Sequence, residues 1–404
     1  MSPARRMAPV EEQLEALLRG TDFGDEPTAR TMRAELRERL QEDRPLNVYC
    51  GYDPTSVDLT LGHTLTMRKL RQFQDFGHRV TFLIGNFTGL VGDPTDKNKT
   101  RPMLSPDQLE ANSRTYAEQA FRILDAERTA VRYNADWLSK LTFAEVIQLA
   151  AHYTVAQFLE RESFQKRYVA HEPIHLSEFL YAIMQARDAV ELETDVQVGG
   201  RDQLFNLMAG RPLQREFGQK PQVVITLPLL VGTDGHEKMS KSLGNYIALN
   251  DSANDMFGKV MSLPDHAMRD YFVLLTSTPL GEIDAILGGP PMEAKKRLAL
   301  DITAGLNGAQ AATEARDYFE ATIQRRETPV EMQEYTLSPE PEGARLDRVL
   351  RDAGLAKSAA EVRRLVDQGA VEVNGARATD FAFALSAGDE VKVGRHRFLR
   401  VVAG

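Results

Sequence analysis

The sequence predicts an α/β chain in three successive parts: a parallel-sheet domain, a helical domain and a small α+β module. Three observations carry this reading. Strand-like apolar runs alternate with helical periods over roughly the first 230 residues, the signature of a parallel sheet with crossover helices. From about Asn250 to Glu327 the pattern is helical without a strong strand. From Arg345 onward there are 11 Lys+Arg against 8 Asp+Glu, whereas the whole chain of 404 residues carries a net charge of −9. A basic module is thus appended to an acidic body.

The elements follow in order. "LNVYCGY" is strand-like, and a helix runs from about His63 to Phe76, where Gly77 takes the usual capping position. "RVTFLIGNF" is the next strand, followed by the polar loop "GDPTDKNKTRP" and a long helix through "SPDQLEANSRTYAEQAFRIL". "VRYNADWL", "TDVQVGG" and "PQVVITLPLL" supply further strands. The Pro- and Glu-rich segment Thr328 to Ala344 lacks apolar periodicity and reads as a linker. In the tail, "RLDRVLRDAGL" and "AAEVRRLVDQG" are helical, and "AVEVNGARA" and "DEVKVGRHRFLRVV" are strands. The expected divisions are 1–235 with an insertion at about 100–190, then 236–327, the linker 328–344, and 345–404.

Composition narrows the class. A hydrophobic content of 42% can bury real cores, and 26% charged residues is ordinary for a soluble protein. No apolar run reaches membrane-span length, and the N-terminal stretch lacks the apolar core of a signal peptide. The single cysteine, Cys50, excludes an intrachain disulfide and fits a cytoplasmic setting. It has no activating partner in its motif and reads as a packing or ribose-proximal residue rather than a nucleophile.

Ligands of open parallel sheets lie beyond the carboxyl ends of the strands. That rule places "CGYDPT", "GNFTGLVGDP", "GGRDQ" and "GTDGHEKMSKS" around one rim. "YCGYDPTSVDLTLGHTL" turns from strand to helix with Gly51 and Gly62 allowing close backbone approach, and His63 near a helix N-terminus suited to phosphate. "HEKMSKSLGN" sets Lys238, Ser240, Lys241 and Ser242 in one glycine-flanked stretch suited to an anion. Tyr181, Gln185 and Asp188 fall at helical spacings of four and three and share one face. "HEPIH" (His171 to His175) fits the H-E-x-x-H zinc pattern by letter, but Pro173 disfavours the continuous helix that chemistry needs, so no metal site is expected.

"KMSKS" and "TLGH" (Thr60 to His63) resemble the two signatures of class I aminoacyl-tRNA synthetases, the second departing only at Thr60, where a histidine is usual. Tyr49, Tyr181, Gln185 and Asp188 together resemble the amino-acid pocket of tyrosyl-tRNA synthetases, and the likeness extends over essentially the whole chain. It implies a Rossmann-like catalytic domain that joins L-tyrosine to tRNA(Tyr) using ATP, with Mg2+ accompanying the nucleotide and no structural zinc. The resemblance assigns Tyr49 and Asp188 to the substrate phenol, Asp93, Tyr181 and Gln185 to its ammonium, and Gln203 to the neighbourhood of its carboxylate. For ATP it implies Gly51, Asp53, Gly62, His63, Gly200, Asp202 for the ribose, Leu230, Lys238, Lys241 and Ser242. Thr55 and Thr60 join His63, Lys238 and Lys241 as expected catalytic residues, with Thr60 able to donate one neutral hydrogen bond to phosphate and Thr55 sharing that task. The tail resembles the RNA-binding domain first known from small-subunit ribosomal protein four, which implicates Arg345, Arg348, Arg363 and Arg364, although Ala359 stands where an arginine is usual. A homodimer formed through the 100–190 insertion is also implied, with no membrane partner. The alternatives are a tryptophan-specific relative, which has no reason for the Tyr49 and Asp188 pair, and a non-catalytic RNA-binding paralogue, in which the lysine-serine stretch would decay.

Overall fold

The computed structural model describes residues 7–54, 58–94, 106–324, 332–337, 345–394 and 397–403. The chain divides into two compact units, 1–308 and 309–404.

The first unit is built on five parallel strands: β1 (Asn47–Tyr52), β2 (Arg79–Ile84), β3 (Thr129–Tyr133), β4 (Val196–Gly200) and β5 (Val223–Leu227). Their order is β3-β2-β1-β4-β5, so the chain works outward in one direction from β1 and then returns to its other side. Every residue of β5 and all but the last of β4 are buried, or nearly so, as expected of parallel strands covered on both faces. β1 pairs with β2 along its whole length, from Asn47–Arg79 to Tyr52–Ile84. With β4 it pairs only at Val48–Val196 and Tyr49–Gln197 before the two strands part. That parting, at the point where the strand order reverses, opens a crevice beyond the carboxyl ends of the sheet.

The helix Leu61–Phe76 connects β1 to β2, buries Leu61, Leu65, Leu70 and Phe73, and stops at Gly77, whose φ of +95° is left-handed. Lys69 on its far side is buried and donates to the carbonyls of Ala16 (3.3 Å) and Arg19 (3.0 Å), closing the C-terminus of the helix Val10–Leu18. The helix Leu176–Glu191 precedes β4, and Leu204–Glu216 links β4 to β5. "VRYNADWL" is strand only as far as Tyr133; the strand ends at the sheet's rim and Ala135–Leu138 coils into a helical turn. The "HEPIH" stretch is not helical: His171 has φ +56°, and His175 caps the start of the helix Leu176–Glu191. Among the described residues no helix is long and apolar enough to cross a membrane.

Helices Ala253–Met261, Met268–Leu275, Leu280–Leu287 and Pro291–Asn307 belong to the first unit. The expected division at 235 therefore does not separate compact bodies, for a physical reason. Arg122 reaches from the sheet domain to the carbonyls of Leu249 and Leu306 (2.8 Å to the latter) and to Asn307 Oδ1 (3.0 Å). The break falls instead after Gly308, whose φ of +90° ends the last of these helices.

The second unit carries a five-stranded sheet of order β6-β10-β9-β7-β8, with β6 Gln333–Thr336, β7 Val371–Val373, β8 Ala376–Arg377, β9 Glu390–Val393 and β10 Arg397–Val402. Leu346, Val349 and Leu350 of the helix Leu346–Asp352 and Val362 and Val366 of the helix Ala359–Asp367 share one core with Val371, Val391, Val393, Leu399 and Val401. Residues 333–336 lie inside the segment read as a linker, yet they pair in parallel with Leu399 to Val402. Four residues are too few for an alternation to stand out among Pro and Glu.

At the base of the crevice the buried Asp195 ties β4 to β1. It accepts from Asn47 N (2.9 Å), forms a fork with Arg44 (2.7 Å to each oxygen) and meets the buried Arg39 at 3.0 Å. Burial pushes this carboxyl up, but the Arg44 and Asn47 hydrogen bonds and the charges of Arg39 and Arg44 outweigh it and hold it below the usual range. Stability from a depressed carboxyl is full above the unfolded value of about 3.9 and is lost as pH falls through the folded one. Asp195→Ala should cost about 3–5 kcal/mol in urea unfolding at neutral pH, because the buried Arg39 loses its nearer counter-charge and keeps only Glu42 at 3.7 Å. Between about pH 5 and 3 the wild-type protein should lose more stability than the variant; parallel curves would refute the ion-pair account.

Candidate active site

A cleft of about 660 Å³ occupies the crevice. Tyr49, Gly51 and Asp53 enter it from the end of β1, and Gly200, Asp202 and Gln203 from the end of β4. Asp93, Leu230 and the trio Tyr181, Gln185 and Asp188 line it as well. Thr60, Gly62 and His63 close it on the side of the helix Leu61–Phe76, facing Lys238, Lys241 and Ser242. Every residue expected from the sequence to bind tyrosine or nucleotide therefore lines one cavity, apart from Thr55, which lies outside the described residues.

Its inner part carries buried polar groups. Tyr49 is 1% exposed and its hydroxyl has no hydrogen-bond partner among the described residues. Asp188 is near enough to help drive the Tyr49 phenol upward, although burial is the larger cause. Asp188 itself accepts from Trp137 Nε1 (2.8 Å) and Asn134 Nδ2 (3.2 Å). Burial raises its carboxyl to about 8 in spite of those two donors, and the charge of Asp53 adds to the rise. Asn134 also donates to Thr88 Oγ1 (3.0 Å), which donates to Asp53 Oδ1 (2.7 Å), and Tyr181 donates to Asp53 Oδ2 (2.9 Å). An unbroken run of hydrogen bonds thus joins the buried Asp188 carboxyl to that of the partly buried Asp53. Asp53, raised to about 7 by burial, has both oxygens engaged by these side chains. The arrangement requires Gly85, since a Cβ there would lie 2.0 Å from Asp53 Oδ1.

Trp137, Asn134 and Thr88 were not anticipated. The available signal was the chain's one tryptophan just past the carboxyl end of a parallel strand, where side chains face ligand. A second chain of bonds runs across the mouth: Gln203 Nε2 donates to Asp93 Oδ2 (2.5 Å), and Asn206 Nδ2 to Gln203 Oε1 (3.0 Å). The buried Arg161 then donates to Asn206 Oδ1 (3.3 Å).

The two signature segments are joined directly. Leu61 N donates to Ile247 O and Leu249 N to Leu59 O, each at 2.9 Å, bracketing a Thr60–Ala248 bridge. Lys241 Nζ donates to the carbonyl of Asp58. Thr60 does not offer its hydroxyl to the cleft in this arrangement: it is 2% exposed, and its Oγ1 lies 2.9 Å from His63 Nδ1, which also accepts from Thr60 N (3.2 Å). With Nδ1 an acceptor, the neutral ring carries its proton on Nε2. Burial, then Lys241 and Lys238, lower His63 to about 4 against the Thr60 hydrogen bond, so it is neutral at physiological pH.

In the second unit the four expected RNA-contacting arginines hold local partners. Arg345 pairs with Asp347 (3.1 Å), Arg348 with Asp352 (3.8 Å) and Arg364 with Glu361 (3.9 Å), and Arg363 lies 4.3 Å over the Phe381 ring. Ser358 caps the helix Ala359–Asp367 through Glu361 N (3.2 Å).

Residues 41–324 match the family model described as tRNA synthetases class I (W and Y), and residues 344–391 match the S4 domain. The tyrosine–tRNA ligase of Geobacter sulfurreducens is 48% identical over 91% of this chain and 94% of its own length. That of Desulfotalea psychrophila is 45% identical over 98% of this chain and 99% of its own. Among solved structures, a C-terminally truncated mitochondrial tyrosyl-tRNA synthetase from Aspergillus nidulans superposes with a TM-score of 0.60 at 24% identity, covering 80% of this chain and 94% of that one. The Archaeoglobus fulgidus tyrosyl-tRNA synthetase complexed with L-tyrosine gives 0.60 at 20% identity, over 76% of this chain and 100% of its own. With its two signatures stapled together over one cleft and these relatives matching it along nearly its full length, the chain belongs to the tyrosine–tRNA ligase family of class I synthetases.

Proposed function

We propose that this cleft activates L-tyrosine with ATP and then transfers it to the 3′ end of tRNA(Tyr). One observation carries the choice of amino acid: the buried Tyr49 hydroxyl, without a partner among the described residues, beside the Asp188 carboxyl. A phenol entering there accepts from Tyr49 and donates to Asp188, satisfying both. An indole N–H only donates and would leave the Tyr49 hydroxyl's proton unsatisfied, which disfavours the tryptophan-specific reading.

In the first step the substrate carboxylate attacks the α-phosphorus of ATP; a P–O bond forms, and the bond to the β-phosphate breaks to release pyrophosphate. An ionised carboxylate needs no general base, so the chain's contribution is position and charge. Tyr49 and Asp188 fix the phenol, Asp93, Tyr181 and Gln185 hold the ammonium, and Gln203 steers the carboxylate. Asp53 acts through Tyr181, and Gly51, Gly62, Gly200, Asp202, Leu230 and Ser242 frame the nucleotide. Lys238 and Lys241 stabilise charge on the departing pyrophosphate while His63, neutral, donates through Nε2. Mg2+ accompanying the nucleotide would neutralise charge on its phosphates. In the second step a terminal ribose hydroxyl of tRNA attacks the adenylate carbonyl and AMP leaves.

The dimer reading gains support from residues 143–176. Phe143 (80%), Val169 (71%) and Leu176 (77%) are largely exposed there, as are Ile147, Val155 and Tyr168. Exposed apolar groups in such number mark an interaction surface, and a second copy of this chain supplies a matching one. Phe143→Glu with Val169→Glu should shift the protein from dimer to monomer in sedimentation velocity; an unchanged dimer places the interface elsewhere.

Pyrophosphate exchange separates the assigned roles. Tyr49→Phe should weaken preference for tyrosine over phenylalanine by ~0.5–1.5 kcal/mol, and Asp188→Asn, which puts an N–H donor where a carboxyl oxygen accepted, by ~1–3 kcal/mol. Lys241→Ala should leave tyrosine affinity alone and slow exchange more than tenfold, since an ammonium ~4 Å from a phosphate charge contributes on the order of 4 kcal/mol before desolvation. Equal effects of all three on both readouts would overturn the assignment. The tail is tested by truncation at residue 332, which removes the whole β6–β10 sheet. Exchange should persist, whereas tRNA charging and its steep salt dependence should be lost; coincident salt slopes would show that the tail does not engage RNA.

A further inference from the structure

The loop 236–244 carries both signature lysines and is held in part by backbone bonds, Gly232 N to Glu237 O and Met239 N to Leu230 O at 2.7 Å each and Gly244 N to Lys241 O at 3.1 Å. Its anchor is the side chain of Asn245, which is only 4% exposed although the loop around it is open. Asn245 Oδ1 accepts from Ser240 N (2.8 Å). Its Nδ2 donates to Asp234 Oδ2 (2.6 Å) and to the carbonyl of Lys238 (3.2 Å). Asp234 in turn uses Oδ1 to accept from His236 N (2.9 Å) and Glu237 N (3.1 Å). One amide and one carboxylate thus gather backbone groups of residues 236, 237, 238 and 240, the first half of the loop. The contact is close: a Cβ at Gly232 would lie 2.2 Å from Asn245 Nδ2, so the position requires glycine.

We infer that Asn245 is a positioning residue for adenylate formation, clasping Asp234 so that the 236–244 loop presents Lys238 and Lys241 toward the transferring phosphate. The inference rests on the ligase reading above. Asn245 does not line the cleft, and its amide reaches the reaction only through the backbone of residues 238 and 240. Each buried group of an amide that bonds to main chain fixes residues that would otherwise explore several conformations. Lysine positions set by backbone matter because charge stabilisation depends on groups fixed before charge develops.

The test uses the full-length protein. Asn245→Ala should lower kcat for tyrosine- and ATP-dependent pyrophosphate exchange by roughly tenfold to a hundredfold, the value of one charge-assisted hydrogen bond. Tyrosine affinity, read from Trp137 fluorescence, should stay within about twofold, because the pocket is built from other elements. Asn245→Asp keeps the acceptor for Ser240 N but sets two carboxylates together, and should be at least as slow. Adding Asp234→Asn restores a donor–acceptor pair with its ends exchanged and should recover about tenfold over Asn245→Asp alone. Independently of activity, hydrogen exchange at the Ser240 amide should quicken at least ~10-fold in Asn245→Ala while amides of the parallel sheet are unchanged. Wild-type kcat in Asn245→Ala, no recovery in the exchanged pair, or parallel loss of tyrosine affinity would each overturn the clasp. Absence of tyrosine-dependent exchange in the wild-type protein would instead remove the ligase reading, and the Ser240 amide would still report on the clasp.

Discussion

The site depends on how little of β1 pairs with β4. Two residue pairs hold the strands together at Val48 and Tyr49, and beyond them the backbones part. Had the pairing continued to Gly51, the space that receives a ligand would be filled by a continuous ladder. Asp195 keeps the lower end closed through Asn47, Arg44 and Arg39 while the upper end opens. Strand order makes the parting natural, because crossovers leave this pair of strands in opposite directions.

Opening a crevice in a parallel sheet exposes low-dielectric walls, and the polar groups set into them are strongly perturbed. Asp53 and Asp188 are both raised by burial, and neutral donors from Thr88, Tyr181, Asn134 and Trp137 offset part of the cost. The opposite wall carries the cationic side, where Lys238 and Lys241 help to keep His63 uncharged. One cavity thus carries carboxyl groups on one wall and lysines on the other. The same low dielectric makes an incomplete hydrogen-bond set expensive, and the Tyr49 hydroxyl, without a partner among the described residues, is such a set.

Several contacts set the lysines relative to the helix start, among them the Val231–Lys238 bridge and the Lys241 bond to the carbonyl of Asp58. The short antiparallel pairing of residues 59–61 with 247–249 fixes the far end of the loop, and the Asn245 amide gathers its near part. Neither bonds a ligand group. Their work is to hold the loop before the nucleotide arrives.

The sequence by itself determined much of the architecture and most of the site, since both are written in short-range patterns. Apolar alternation, the helix ending at Gly77, and "KMSKS" are local, and Tyr181, Gln185 and Asp188 need only helical spacing to share a face. What it did not carry were pairings between residues far apart in the chain. Trp137 meets Asp188 across 51 positions, and β6 finds β10 across a segment rich in Pro and Glu. Thr60 lines the cleft as read from the sequence, but its hydroxyl also lies 2.9 Å from His63 Nδ1, a partner that a helix start brings close. Local periodicity fixes which face a residue occupies, whereas the partner of a buried polar group is decided only when the tertiary fold excludes water and leaves a single donor or acceptor within reach.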